Sequence, residues 1–272
     1  MRYYCNYLGL LLGLHALNTS AQTAPAQPGA TGPAVVTDLS VKEAGAACAH
    51  PFGLSTGQQL EYQLLDDKGK PTGTLRYRVV SIKTDTTALG KKKKKKKQVA
   101  TTTVMLKSGF YDLSDLVLHQ QDLMYTCRRD TVYTDGLGEI NYDGLKSFRN
   151  RLLVTTGTPL AWPNQPTPSS ELPKGGAMVQ VSSPSIAIAK VSTTVKARKV
   201  LAGPLSVTVP AGTFSCYPVE SQRELATAAR VDLILRNNSR QVDYYAPAVG
   251  IIKTEYYEKG GKLLQSRVLV KR

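Results

Sequence analysis

The sequence predicts a mainly β protein: an antiparallel, meandering sheet, strongly curved or closing toward an open barrel, with one or two short helices. Three observations predict it. Stretches beyond residue 48 alternate polar and apolar residues with a period of two, as in Gln59–Leu64 (QLEYQL), the pattern of a strand with one face buried. Turn signals punctuate them at short intervals, among them Asp67-Lys68-Gly69-Lys70-Pro71 and Lys259-Gly260-Gly261-Lys262, where glycine and proline fit hairpin geometry. Helical spacing is scarce. About ten strands in one antiparallel sheet have to curl to hide their apolar face.

The first segment, 1–21, reads as a secretory signal peptide. Arg2 supplies the positive start, Leu8–Leu17 is an apolar run broken by His15, and Thr19-Ser20-Ala21 precede a cleavage point between Ala21 and Gln22. The run is too short to cross about 30 Å of hydrocarbon, which takes roughly 20 residues. No later stretch has transmembrane length. The sole nearby cysteine, Cys5, precedes the apolar run instead of following it, so a lipid anchor is not expected. The expected localisation is periplasmic or secreted. Residues 22–47, rich in Ala, Pro, Thr and Gly, form a linker that cannot bury enough apolar surface to order itself. The remaining 48–272 is expected to be a single β domain.

Within that domain, Gln59–Leu64 and Gly73–Ile82 form the first hairpin, and Val99–Leu106 (VATTTVML) a third, β-branched strand. Residues 110–121 have apolar spacing closer to helical, so a short helix is expected there. Cys127–Thr134 is expected to open another strand, and Tyr142–Arg149 a helical turn. The Pro-rich connection 156–176 is expected to be irregular and exposed, with Trp162, the only tryptophan, pinning it to the body. From Ala177 onward the pattern is regular: strand material at Ala177–Ser183, Ser185–Leu201 and Leu205–Val209, a corner at Pro210-Ala211-Gly212, then Phe214–Ser221, Val231–Leu235, Val242–Tyr245, Ile251–Glu258 and Leu263–Val270.

Hydrophobic residues make up 42% and charged residues 20%, which is ordinary for a globular chain. The net charge of +15 is less telling than it looks. Seven of those charges are Lys91–Lys97 and one is Arg2, which leaves +7 for the rest. The 91–97 tract reads as a solvated hairpin loop extended by self-repulsion. Its alternative is a polybasic patch for acidic polysaccharide, lipid headgroup or nucleic acid. Nucleic-acid binders interleave aromatics or shape a basic groove, and the tract holds no aromatic, so nucleic acid is not an expected partner.

Without the signal the cysteines are Cys48, Cys127 and Cys216. An oxidising compartment permits one bridge and leaves one thiol over. The expectation is a Cys48–Cys127 disulfide with Cys216 buried.

Four stretches, in order, resemble a known family: Cys48–Tyr62 (CAHPFGLSTGQQLEY), the turn Asp67–Lys70, the corner Val209–Cys216 (VPAGTFSC) and Tyr244–Glu255 (YYAPAVGIIKTE). They resemble the uncharacterised DUF3108-like or TapB-like group of exported bacterial β proteins of the Bacteroidetes type, over Cys48 to the C-terminus. Ala248-Val249-Gly250 departs from the Gly-Val-Gly expected there. The resemblance implies fold and compartment and carries no activity.

No motif names a reaction. Gly53-Leu54-Ser55-Thr56-Gly57 matches G-x-S-x-G, but a nucleophile elbow needs a strand before and a helix after it, and here a strand follows. His50 and His119 are the histidines outside the signal. Metal-ligand spacing is lacking, Gly136-Leu137-Gly138 lacks the third glycine of a dinucleotide site, and no cofactor is expected. Tyr244, Tyr245, Tyr256 and Tyr257 should place one ring of each pair inside and one outside. They are read either as core plus surface aromatics or as an aromatic platform for an apolar or glycan ligand on the concave face. The functional expectation is an exported, non-enzymatic envelope or secreted module whose partner is a lipid, a glycan or an envelope protein. The alternative is an envelope-polymer hydrolase using Ser55 or a carboxylate pair beside His50 or His119.

Overall fold

In a computed structural model the chain is described over residues 48–89, 97–148, 150–230 and 233–272. The signal segment, the linker and the lysine tract up to Lys96 lie outside the described residues. Among the described residues fifteen strands follow one another: β1 (Gln59–Asp66), β2 (Pro71–Leu89), β3 (Lys97–Tyr111), β4 (Val117–Arg128), β5 (Thr131–Thr134), β6 (Leu152–Thr158), β7 (Leu160–Pro163), β8 (Glu171–Leu172), β9 (Gly175–Ser182), β10 (Ala187–Val200), β11 (Leu205–Val209), β12 (Gly212–Arg230), β13 (Leu233–Ala246), β14 (Gly250–Tyr257) and β15 (Leu263–Lys271). Every pairing is antiparallel.

The strands lie in the order β6-β9-β10-β12-β13-β14-β15-β1-β2-β3-β4-β5-β7, with β8 and β11 paired off this path. The two ends of that order, β6 and β7, are separated in sequence by Pro159 alone. A sheet whose terminal strands are joined by one residue has to curl round until its edges meet, so the expected open barrel is what the chain forms. The apolar halves of the alternating strands then face one another across the interior. Val79, Val104, Leu106, Leu123, Val195, Val219, Ile252 and Leu269 are all buried there.

One barrel end is stoppered by the residues preceding β1. Pro51–Gly53 form a 3-10 turn in which Phe52 takes φ 54°. Phe52 packs edge-on against Tyr125, ring centroids 6.4 Å apart. Arg272 locks the turn: its Nη2 donates to the carbonyls of Phe52 at 2.6 Å, Gly53 at 3.1 Å and Ala248 at 3.1 Å. Cys48 is bonded to Cys127 beside this cap, with Cα atoms 5.3 Å apart, and Cys216 is free and buried. Further along the interior, 3-10 turns at Gly136–Glu139 and Asp143–Phe148 fold across the inner face of β9 and β10.

Three expectations about elements are corrected. Residues 110–121 form no helix; they are the end of β3, a turn and the start of β4. The Asp112 carboxylate accepts from the amides of Ser114 and Leu116, each at 2.9 Å, and from the Ser114 hydroxyl at 2.7 Å, which closes a hairpin where a helix would need those amides for its own turn. Cys127 ends β4 rather than opening a strand, because Arg129 and Asp130 make the turn into β5. The Pro-rich 156–176 connection is not irregular: it contains β7 and β8, and Leu160, Ala161 and Trp162 are buried. Trp162 donates from Nε1 to Thr134 Oγ1 at 2.9 Å, so it seats the sheet's last strand.

Candidate functional site

The four tyrosines of β13 and β14 do not share one surface. Tyr245 is fully buried against Trp162, centroids 5.2 Å apart, and donates to the carbonyl of Pro163 at 3.1 Å. Tyr256 also points inward, beneath the guanidinium of Arg223 at 5.3 Å, and burial pushes its hydroxyl up to about 12. Tyr244 and Tyr257 are on the outside, both donating to Glu255 Oε2, at 3.1 and 2.7 Å. Burial and the Glu255 carboxylate raise each of them to about 12. Each pair thus contributes one internal and one external ring, and the external pair is committed to a carboxylate of its own sheet.

The pocket beneath the end cap is small. Lined by Tyr62, Tyr77, Tyr125, Glu139 and Arg267 among others, it amounts to about 40 Å³, enough for a few waters at roughly 10–15 Å³ each. Pockets for drug-sized ligands run to several hundred Å³, on the order of 300–1,000. The lining is ionic as well as aromatic. Arg267 Nη2 donates to Thr254 Oγ1 at 3.0 Å, and Thr254 in turn donates to the buried Asp243 at 2.7 Å. Arg223 stands 3.8 Å from Glu139, both side chains less than 15% exposed. This is an internal polar layer that ties β12, β13, β14 and β15 to the Gly136–Glu139 turn.

Among the described residues no hydrogen bond joins Ser55 to His50 or His119. Ser55 is exposed in the turn before β1, its hydroxyl donating to Gln58 Oε1 at 3.3 Å. His119 sits on β4, its ring 3.7 Å from that of Tyr142, and burial lowers its pKa. His50 is exposed beside the end cap. Among the described residues no group of three or more His, Cys, Asp or Glu is placed to hold a metal.

A better-formed site lies on the outer face of β1–β4. The registers set Gln59, Arg78, Lys107 and Asp122 abreast in one row, and Glu61, Arg76, Gly109 and Gln120 in the next row on the same face. All of these but Glu61, together with Tyr111, line an open groove of about 590 Å³. A Cβ on Gly109 would stand 2.8 Å from the Tyr111 ring, which folds over it. Arg76 is held from three sides, by Glu61 at 3.0 Å, Asp115 at 2.6 Å and the Tyr111 ring at 4.5 Å. Arg78 and Lys107 have no ion pair among the described residues, although Asp122 stands abreast of Lys107. A second groove of about 600 Å³ along β10, β12 and β13 pairs Lys196 with Glu224 at 2.7 Å and Arg240 with Glu220 at 2.8 Å, while Lys199 and Lys259 in its lining have no ion pair among the described residues. The β1–β4 groove differs in setting its two unpaired cations, Arg78 and Lys107, abreast on neighbouring strands. Sequence reasoning missed it because its residues come from four strands and carry no local motif; the period-two pattern of Arg76 and Arg78 beside Gln59 was the available signal.

Fold and surface define a class: an antiparallel barrel-like β domain with a stoppered, apolar interior crossed by one polar layer, and a basic outer groove. The chain belongs to the DUF3108-like family, whose model matches residues 55–269. Two solved structures share the fold. One is a "putative lipoprotein" from Parabacteroides distasonis ATCC 8503, 19% identical, covering 82% of this chain and 98% of that one, with a TM-score of 0.62. The other is a "putative exported protein with YmcC-like fold" from Bacteroides fragilis NCTC 9343, 18% identical, covering 82% of this chain and 99% of that one, with a TM-score of 0.58. None of the curated proteins compared with the chain matches it. No helix among the described residues is long and apolar enough to cross a membrane.

Proposed function

We propose that this chain is an exported, non-catalytic module of the cell envelope that binds an acidic glycan in the outer groove of β1–β4. Export rests on the signal-like segment 1–21, with cleavage between Ala21 and Gln22, and is supported by the exported and lipoprotein descriptions of the two structural relatives. The mature product is then periplasmic or secreted.

The observation that carries the binding reading is the pair Arg78 and Lys107, abreast on adjacent strands and in no ion pair among the described residues, in a groove of about 590 Å³ that Asp122 also lines. A guanidinium and an ammonium a strand apart suit carboxylate or phosphate substituents. The Gln59 and Gln120 amides supply both donors and acceptors for the hydroxyls between them. The test is a binding titration of acidic and neutral oligosaccharides against the wild type and Arg78→Gln/Lys107→Gln. Hydrogen bonds to charged groups contribute roughly 1.5–3 kcal/mol each, so the double variant is expected to bind acidic sugars at least about tenfold more weakly. Equal affinity of the two proteins, or a preference for neutral sugars, would overturn the assignment.

A further inference from the structure

The outer face of β2, β3 and β4 carries a second feature beside the cationic row. Val80, Met105 and Met124 are 47%, 37% and 49% exposed. Met105 and Met124 stand abreast on β3 and β4, and Val80 lies in the β2 bulge between Val79 and Ser81, the latter opposite Met105. Each lies two positions from a residue of the groove: Val80 from Arg78, Met105 from Lys107 and Met124 from Asp122. Side chains two apart on a strand share a face, and the residues between them, Val79, Leu106 and Leu123, are buried on the inner one. An apolar row therefore borders the cationic row directly, about 7 Å along the strands. The next row, Lys83, Thr103 and Thr126, is polar again.

That width decides what occupies it. Apolar residues exposed singly need no partner, whereas three side by side form a patch. A stable protein interface covers about 800 Å² per partner around an apolar centre, more than one row of three side chains offers. A short hydrocarbon group matches the row. The unbranched thioethers of Met105 and Met124 can shift to cover it. Arg78 and Lys107, one row away and abreast of each other, then hold the anionic part of the same molecule.

We infer that the ligand of the β1–β4 groove is an acylated acidic glycan, whose short acyl ester or amide substituent is taken up by the Val80, Met105 and Met124 row. The inference rests on the acidic-glycan reading of the groove. It places the acid group on Arg78 and Lys107 and the acyl group one row further along β2, β3 and β4.

The test is calorimetric titration with an oligogalacturonate and with the same oligomer partly O-butyrylated, for the wild type, Met105→Thr/Met124→Thr and Arg78→Gln/Lys107→Gln. The wild type is expected to bind the butyrylated sugar about tenfold more tightly, the gain from covering its hydrocarbon. The threonine variant keeps good strand formers at exposed positions, so its unfolding temperature and its affinity for the unsubstituted sugar should stay as in the wild type. Its preference for the butyrylated sugar should fall to about twofold or less. The glutamine variant should weaken both sugars alike and keep the preference. Equal wild-type affinity for the two sugars, or a preference that survives the threonine variant, would overturn the inference and leave the groove reading standing. Binding of neither sugar would overturn the groove reading, and the inference with it. A concentration-dependent dimer that the threonine variant dissolves would also contradict the inference, because a second copy of the chain would then cover the row.

Discussion

Asp243 shows how the polar interior is balanced at single residues. Its Oδ1 accepts from Thr254 at 2.7 Å and its Oδ2 from Gln241 Nε2 at 2.8 Å. Burial raises its carboxyl above the ordinary range and the Glu139 carboxylate adds to this; Thr254, Arg267 and Gln241 pull it back. Arg198, from the other side, feels the same carboxylate while burial lowers its own pKa to about 10. Between about pH 4 and the raised value the folded state holds a proton on Asp243 that the unfolded chain has released, so this group's contribution to stability falls as pH rises through that window. Gln241 Oε1 has no partner. In Asp243→Asn the buried charge goes, and a flipped Gln241 amide can accept from the new amide group. The variant is expected to unfold at pH 7 at the wild-type temperature or above and to lose that part of the pH slope. A loss of more than about 3 kcal/mol would mean that Arg267 and Arg198 need the charge. Cys48 and Cys127 define a second residue-scale outcome. Their bond closes a loop over a separation of 79 residues, which the chain-entropy account values at about 4–5 kcal/mol. Non-reducing peptide mapping should recover the cross-linked pair, and Cys127→Ala should lower stability by an amount of that order. Recovery of Cys216 in a bridge instead would contradict this. That thiol is enclosed and raised to about 11, and its place between Phe214 and Tyr217 already marked it as a strand residue.

Among the elements, the regular C-terminal strands were legible because period-two alternation and Gly-containing turns agree there. Gly260 and Gly261 do close the β14–β15 hairpin. Residues 110–121 were misread because Leu113, Leu116 and Leu118 imitate helical spacing, yet all three are more than half exposed; the Asp112 side chain settles the conformation, and apolar periodicity does not register it. The Pro-rich segment hid β7 because prolines demote a stretch to irregular structure. Here Pro159 precedes and Pro163 ends a strand of only four residues, the sheet's last, where the ladder tolerates them. The Gly136–Glu139 turn adds a contact that no strand pattern announces. A Cβ on Gly136 would collide with the carbonyls of Gly176 and Thr158, and Gly176 itself has φ 140° and presses on the Thr193 carbonyl. Gly136→Ala is therefore expected to cost about 2–3 kcal/mol in chemical unfolding. A change below about 0.5 kcal/mol would show that the turn can retreat from β6 and β9.

For the molecule as a whole, the curled antiparallel sheet followed from strand count and alternation, whereas its closure followed from something local: β6 and β7, at opposite edges, are one residue apart. The ligand surface was not legible, for a reason of scale. Gln59, Arg76, Arg78, Lys107 and Gln120 are spread over some 60 positions of the chain and meet only once four strands take their register. The tyrosine clusters, conspicuous in sequence, turn out to be divided between the Trp162 core and the Glu255 carboxylate. The most direct measurement of the central claim is NMR shift mapping of the isotope-labelled protein titrated with an acidic oligosaccharide. The account predicts perturbations concentrated at Gln59, Arg76–Arg78, Lys107–Gly109 and Gln120–Asp122, weakening as salt rises. Perturbations centred on Tyr244 and Tyr257, on the interior around Tyr77 and Arg267 alone, or nowhere at saturating sugar would contradict it.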